Sequence, residues 1–345
     1  MSRRALWPTS RKYPGIANGW HGAAWVAFQL AGAGIPVPHR VFDAIGQRLA
    51  AELGHATRTG HVGAFIGGAA DAVIAAHAAR SGVASAAVAR RACSAAAAAA
   101  GRSAAWDAHM GLAGTLLALG EVAAVAPAAL REVQTGRLAT RLLAIADALC
   151  ALPPRGWPTG MAHGPAGAIV AAESCGALGW CRITARRRQR WLDVLARSAM
   201  ASPDGALMWP ATAGNRQLGL QSWCAGTPGI ALALLQCFRL TGLPVYLDVA
   251  RGALDGMKLL ARNRFASRTL CCGSAGYHHI FLEAHRITGQ PAWRDEALRP
   301  ARLSRSARAW PRLGLHQGEL GIAYLAERLA NPDACPLPGL GASSA

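Results

Sequence analysis

One short pattern recurs along the whole sequence, a Gly-x-x-Gly step followed by an apolar run that is compatible with a helix. Seven such steps are recognisable, and they lie roughly 41 to 62 residues apart. Repeats at this spacing predict stacked units of one small supersecondary element each. The steps begin at Gly19, at Gly60 or in a degenerate version at Gly67, and at Gly111, Gly164, Gly226, Gly273 and Gly318.

The residues between the steps favour helices over strands. The run 230–240 is built from Ala, Leu, Gln and Arg rather than from alternating β-branched residues. Pro and Gly fall between the repeats, as at 152–156, and mark loops. Each unit is therefore predicted to hold an apolar inner helix behind its glycine turn and a more amphipathic outer helix. Seven pairs would close into an all-α fold, an α/α toroid of seven inner and seven outer helices forming one domain over residues 1–345.

Composition and cysteine usage place the chain among soluble proteins of the cytoplasm. Hydrophobic residues make up 52% of its 345 residues and charged residues 16%, which is enough for a sizeable core. The nine cysteines are an odd number with no framework spacing, as expected for reduced thiols or metal ligands. Residues 1–8 are basic but lack a following apolar run, so no signal peptide is predicted. The best candidate for a membrane span, 111–130, carries Glu121 and Pro127 and is not convincing.

The formal net charge of +18 predicts attraction to an acidic partner, which could be a peptide, a nucleic acid or a membrane surface. The basic residues are mostly dispersed arginines, with one cluster at 186–190. A cluster of this kind is more often a solvated helix face than a nucleic-acid site. No zinc knuckle, basic zipper or interleaved aromatic pattern accompanies it, so nucleic-acid binding is not expected.

Three cysteines stand in two of the glycine steps, directly before two predicted helix starts. Cys224 belongs to the step at 223–229, and the adjacent Cys271 and Cys272 belong to the step at 270–276. A helix N-terminus favours thiolates, and three soft anionic ligands with room for a fourth match a catalytic zinc site. Adjacent cysteines converge on a metal only from an irregular turn, which Gly-x-x-Gly provides. The alternative is that these cysteines are small hydrophobic residues of the core and bind no metal. That is what we expect of the other six cysteines, Cys93, Cys150, Cys175, Cys181, Cys237 and Cys335.

At this point the residues resemble the lanthionine synthetase C-like family of peptide cyclases. The specific marks are His163-Gly164, Trp223-Cys224-x-Gly and Cys271-Cys272-Gly, and the end at 324–332 is similar to the family's closing helix. The resemblance covers nearly the whole chain and implies a helical toroid. It also implies addition of a peptide cysteine thiolate to dehydroalanine or dehydrobutyrine, which forms a thioether ring. The implied zinc ligands are Cys224, Cys271 and Cys272, with Cys272 where a histidine is usual.

The same resemblance implies catalytic residues, and in places the sequence departs from it. His163 is expected to be the general acid or base, and Asp107 to orient it or to balance charge near an enolate. Without the resemblance, a lone histidine before glycine is expected to be a structural or surface residue, and Asp107 is expected to be a helix N-cap. Some members carry an arginine where this chain has Leu220, and larger side chains often replace Ala225. His278 and His279 are possible substitutes in proton transfer, although core or surface placement is the usual role of such residues.

The expected partners are a dehydrated precursor peptide, with an acidic leader suited to the basic surface, and a separate dehydratase. A separate dehydratase is expected because no kinase loop or phosphate-binding loop is evident. No nucleic-acid partner and no stable membrane insertion are expected. One alternative keeps the zinc chemistry but transfers glutathione or another small thiol. Another is a scaffold or peptide-binding partner with little catalysis. A carbohydrate-active toroid would need a carboxylate pair, and only Asp107 presents itself.

Overall fold

A computed structural model describes residues 15–53, 60–151, 155–308 and 314–338. The interpretation of residues 1–8 lies outside these ranges, and so does part of the predicted loop at 152–156. The described residues form thirteen α-helices, a short 3-10 turn at Pro127–Leu130 and two two-stranded sheets. No helix among them is long and apolar enough to cross a membrane.

The helices occur in chain order with short connections between them. They are α1 (Trp20–Gly32), α2 (His39–Glu52), α3 (Ala69–Arg80), α4 (Ala86–Arg102), α5 (Leu112–Val125), α6 (Thr135–Ala151), α7 (Pro165–Ala177), α8 (Ala185–Arg197), α9 (Thr227–Thr241), α10 (Pro244–Leu260), α11 (Ser274–Thr288), α12 (Pro291–Leu298) and α13 (Leu320–Ala330).

Two kinds of helix alternate, as the repeats predicted. The odd-numbered helices follow the glycine steps, and all of them except α13 are buried along most of their length; α7, for example, is buried without a break from Pro165 to Glu173. The even-numbered helices bury one face, as α8 does with Trp191, Leu192, Val194 and Leu195. The described ranges contain seven helices of the first kind and six of the second. The second step is the degenerate one, because α3 follows residues 67–68 whereas residues 60–63 lie in a loop.

The second glycine of a step permits a close backbone contact at the start of the helix. A Cβ there would lie 2.2 to 2.3 Å from the carbonyl oxygen of the residue six positions earlier, far inside contact distance. The loop therefore folds back against the first helical turn in a way that only glycine allows. This contact joins Gly22 to Ile16, Gly114 to Ala108, Gly229 to Trp223 and Gly276 to Leu270.

The chain separates into two compact units. One comprises Met1–Leu138 with Trp310–Ala345, and the other comprises Ala139–Ala309. The organisation of residues 1–345 as one domain stays a prediction.

The strands, which the repeats did not predict, all lie in the second unit. Antiparallel β1 (Met200–Ala201) and β2 (Leu207–Met208) form one sheet. Parallel β3 (Phe265–Ser267) and β4 (Leu303–Arg308) form the other, with Phe265 opposite Leu303.

Candidate metal centre

The three predicted cysteines converge on one point within the second unit. Cys224 lies in the loop that leads into α9, and Cys271 and Cys272 lie in the loop that leads into α11. The two loops are tied together because the Trp223 backbone N–H donates a hydrogen bond to the Cys271 carbonyl at 3.1 Å. Helices α9 and α11 also pack against each other. Glycine steps forty-seven residues apart in the sequence, at 226 and 273, are thereby brought side by side.

The sulfur atoms have the spacing of a tetrahedral metal site. The Sγ atoms of Cys224 and Cys272 lie 3.8 Å apart, and those of Cys271 and Cys272 lie 3.3 Å apart. Zinc–sulfur bonds of about 2.3 Å in tetrahedral geometry require sulfur separations of about 3.8 Å. Among the described residues this is the one group of three or more His, Cys, Asp or Glu found close enough to hold a metal ion. The donor set therefore fits zinc.

An irregular turn directs Cys224 into the cluster. Gly226 has a φ of +82°, which places it in the left-handed region that favours glycine. The Gln221 side chain closes the turn, accepting a hydrogen bond from the Thr227 backbone N–H at 3.0 Å and donating one to the Trp209 carbonyl at 3.0 Å. Cys271 is buried, and Cys224 and Cys272 are half-buried, so one side of the cluster remains open to an incoming ligand.

The cluster favours a single thiolate when no metal is bound. Hydrogen bonds from the Cys271 and Cys272 thiols, and further ones from Ser222, lower the pKa of Cys224 to about 2. The pKa of Cys272 rises to about 12, and that of Cys271 also rises, because each thiol donates to the Cys224 thiolate beside it. Zinc, which binds thiolates, would displace the protons of Cys271 and Cys272.

Ser222 is a residue of the site that the sequence reasoning missed. Its buried Oγ lies 3.1 Å from the Cys224 Sγ and also accepts a hydrogen bond from the Ala225 backbone N–H at 3.2 Å. A hydrogen bond to the donor atom of a metal ligand orients that ligand and tunes its charge. A serine two positions before a cysteine gives no signal in the sequence, because the contact depends on the turn that follows.

His163 lies on the turn directly before α7 and is half-buried. A positive charge on its ring would lower the pKa of Cys224, after the larger effects of the hydrogen bonds, so the ring lies within electrostatic range of that sulfur. Asp107 lies in the first unit, where its carboxylate accepts hydrogen bonds from the backbone N–H groups of His109 and Met110 at 2.8 and 2.7 Å. It caps the turn before α5 rather than the helix itself, whose N-cap is Gly111.

The remaining candidates have local roles. His278 donates from Nδ1 to the Ala297 carbonyl at 2.7 Å, and burial lowers its pKa. His279 is buried, as the alternative of core placement predicted. Leu220, which the resemblance places where some family members carry an arginine, is 55% exposed.

The cysteines outside the cluster behave as expected of small hydrophobes. Five of them are buried and Cys181 is half-buried. Burial raises the pKa of Cys93 to about 12 and that of Cys150 to about 11.

Fold and site together define an all-α repeat protein with a three-cysteine centre suited to a metal ion. A family model described as "Lanthionine synthetase C-like protein" matches residues 14–340, and the chain belongs to that family. Nisin cyclase, a solved structure, matches with a TM-score of 0.68 and 13% identity over 94% of this chain and 90% of that chain. This likeness confirms the predicted fold class, a helical toroid. The comparison with curated proteins found no match. Family membership indicates a lanthipeptide-cyclase-like function.

Proposed function

We propose that this protein is a zinc-dependent lanthipeptide cyclase that adds peptide cysteine thiolates to dehydroalanine or dehydrobutyrine. The observation that carries the proposal is the convergence of the Cys224, Cys271 and Cys272 sulfurs at zinc-ligand spacing. These three residues would hold zinc and leave a fourth position for a substrate thiol. Zinc would lower the pKa of that thiol, so that a thiolate forms near neutral pH.

The protein's own residues would then supply the proton that completes the addition. The substrate sulfur forms a bond to the alkene β-carbon, and the alkene electrons move to the adjacent carbonyl oxygen as an enolate. The α-carbon must gain a proton to complete the thioether, and His163 is the proposed donor because it lies within electrostatic range of Cys224 and matches the family's histidine. The proton lost by the thiol balances the proton gained by the carbon. Asp107 is a proposed catalytic residue on the family resemblance alone, as a balance for charge near the enolate.

The first test is zinc stoichiometry by elemental analysis of reduced wild-type protein and of Cys224→Ala and Cys272→Ala. We expect about one zinc per chain in the wild type and loss of zinc in both variants. Cys181→Ala is the matched control, since Cys181 is also half-buried but lies outside the cluster. Absence of zinc from the reduced wild type would refute the metal-dependent mechanism.

The second test is ring formation itself. A dehydrated peptide with one cysteine should lose its reactivity toward a maleimide reagent without a change in mass when the wild type acts on it. His163→Ala should slow this loss about 100-fold or more, since a positioned general acid contributes that much. Adducts with glutathione in place of rings would support the alternative of a small-thiol transferase.

A scaffold function is the second candidate, and a specific observation favours it. Leu220 is exposed where some family members place an arginine, so that charge is missing from this position. Zinc binding without any ring formation, together with tight binding of a dehydratase, would support the scaffold. The proposed precursor peptide, separate dehydratase and cytoplasmic location apply to either function.

A further inference from the structure

The loop that carries Cys271 and Cys272 is preceded by a strongly basic segment that the cyclase chemistry does not use. Residues 261–275 and 299–308 contain seven arginines and no aspartate or glutamate. Pairing of β3 with β4 brings the two segments together as one short parallel ribbon. We call the ribbon and its five exposed arginines the arginine ribbon. These arginines are Arg262, Arg264, Arg268, Arg302 and Arg305.

The charges of the arginine ribbon are not neutralised by the described part of the chain. None of its five arginines has a carboxylate partner among the described residues, and Arg264 donates to the Leu303 carbonyl at 3.1 Å. The cluster at 186–190 differs, because there Arg187 pairs with Asp147 at 2.8 Å and Arg188 with Glu173 at 2.7 Å. Those two arginines hold helices together, whereas the ribbon presents its charge to solvent.

The arginine ribbon is fixed beside the thiol cluster. The Phe265 ring packs edge-on against Tyr277 of α11, with ring centroids 4.8 Å apart. The Arg268 carbonyl accepts a hydrogen bond from the Ala275 backbone N–H in the first turn of α11. Arg268 is three residues before Cys271, so their Cα atoms are at most about 11 Å apart. A molecule bound along the ribbon would therefore lie close to the cluster.

We propose that the arginine ribbon docks an extended acidic segment of the precursor peptide, beside the three-cysteine cluster where zinc would bind the peptide's cysteine thiol. The inference rests on the proposed function for the identity of the partner as a peptide. Exposed arginines within and directly beside two paired short strands present several forked donors close together, which suits carboxylates spaced along an extended chain. Phe265, the ribbon's aromatic residue, is half-buried against Tyr277 and is unsuited to stacking on nucleic-acid bases.

The test is binding of a fluorescein-labelled peptide in which glutamate alternates with serine, measured by anisotropy. The variant replaces Arg262, Arg268, Arg302 and Arg305 with Gln and keeps Arg264, which bonds to the backbone. A control with the same loss of charge replaces four exposed arginines of α3 and α4 with Gln: Arg80, Arg90, Arg91 and Arg102.

We expect the ribbon variant to weaken peptide binding about tenfold or more at low salt, and the control to weaken it much less. Wild-type binding should weaken as salt rises, and a peptide with Gln in place of Glu should bind poorly. Equal weakening in the ribbon variant and the control would mean that only net charge matters, and would overturn the proposal. Unchanged binding by the ribbon variant would overturn it as well.

Two further probes separate the possible partners. Single-stranded DNA or phosphatidylserine vesicles that bind tightly through the ribbon, while the acidic peptide does not, would overturn the peptide assignment. Ring formation on a dehydrated peptide without acidic residues tests the proposed function separately. The ribbon variant should catalyse it at the wild-type rate and bind zinc normally. Wild-type protein that forms no ring but binds acidic peptide through the ribbon would refute only the cyclase proposal.

Discussion

At the scale of single residues, Cys272 distinguishes this chain from family members with a histidine in its place. Three thiolates donate more electron density to zinc than two thiolates and an imidazole. The bound substrate thiolate should therefore be more nucleophilic and its thiol less acidic. Nucleophilicity rises about threefold for each unit of thiol pKa.

We accordingly expect Cys272→His to retain zinc but to form rings about threefold more slowly at a pH where the substrate thiol is fully ionised. The difference should shrink as the pH is lowered, because the variant keeps more of its substrate ionised. The measurement is the rate of thiol loss from a dehydrated peptide across a pH series. A variant as fast as the wild type at the high-pH plateau would contradict the electronic argument.

Ser222 supplies a second residue-scale prediction, since its hydroxyl oxygen lies 3.1 Å from the Cys224 sulfur. Ser222→Ala should weaken zinc affinity about tenfold, as loss of an outer-shell partner typically does. Ser222→Thr keeps the hydroxyl and should restore most of the affinity. Competition with a zinc-binding dye would measure both.

The control for Ser222 is Ser198→Ala, since Ser198 is another buried serine and its hydroxyl donates to the carbonyls of Val194 and Leu195 in α8, away from the cluster. A shift in the cobalt–thiolate charge-transfer band of the cobalt-substituted Ser222→Ala protein would show that the hydroxyl acts through the sulfur. If Ser198→Ala weakened zinc binding as much as Ser222→Ala does, the role assigned to Ser222 would be refuted.

At the scale of elements, the glycine steps fix how each buried helix begins. Gly229 is the clearest case, because a Cβ there would lie 2.2 Å from the Trp223 carbonyl oxygen and 2.4 Å from the Met161 backbone nitrogen. Both neighbours are backbone atoms, so the loop itself would have to move. That loop carries Cys224.

We expect Gly229→Ala to destabilise the fold by about 1–3 kcal/mol, the usual cost of overpacking, and to weaken zinc binding at the same time. Thermal unfolding and zinc titration would measure the two effects. Gly32→Ala is the control, because Gly32 lies in the last turn of α1 with nothing within 4 Å of its added Cβ. Gly32→Ala should leave both quantities unchanged or raise stability slightly. Similar losses in both variants would contradict the close-contact explanation.

A second element-scale regularity is a buried or half-buried polar residue ten positions after the first glycine of a step. Glu121 accepts a hydrogen bond from the Trp25 indole at 2.7 Å and pairs with His77 at 2.8 Å. Gln236 donates to Glu283 at 3.0 Å. These bonds link neighbouring buried helices within each unit and satisfy polar groups that would otherwise be costly inside a core. The residues at this position include Gln29, His77, Glu121, Gln236, Glu283 and Arg328.

At the scale of the whole molecule, zinc should cross-link the loops before α9 and α11 and so stabilise the folded state. A ligand that binds only the folded state stabilises it by about 1.4 kcal/mol for each tenfold excess over its dissociation constant. Removal of zinc by a chelator should therefore lower the melting temperature, and readdition should restore it. The Cys224→Ala protein should show no such response, whereas Cys181→Ala should respond as the wild type does.

This stabilisation should also depend on pH. The raised pKa values of Cys271 and Cys272 mean that both are protonated in the metal-free chain near neutral pH. Because zinc displaces those protons, the increase in melting temperature on zinc addition should shrink as the pH falls from about 8 to about 6. An increment that is constant over this range would contradict a site made of thiols.

The sequence alone determined the features that depend on neighbours along the chain. Gly-x-x-Gly steps with helical runs between them predicted the alternation of buried and amphipathic helices, because helix starts and apolar periodicity are local properties. Cys224, Cys271 and Cys272 were identified by their place before two of those starts. The second step can begin at Gly60 or at Gly67 on the sequence alone, since both fit the local pattern.

Only the tertiary structure decided which distant segments meet. The backbone hydrogen bond from Trp223 to Cys271 joins the two loops that carry the sulfurs. The pairing of β3 with β4 creates the arginine ribbon from two segments that are separate in the sequence. Arg187 is held by Asp147, forty residues away in the chain, so its part in an ion pair was not visible in the cluster at 186–190. Long-range pairing is set by packing of the whole core, and no short window of sequence contains that information.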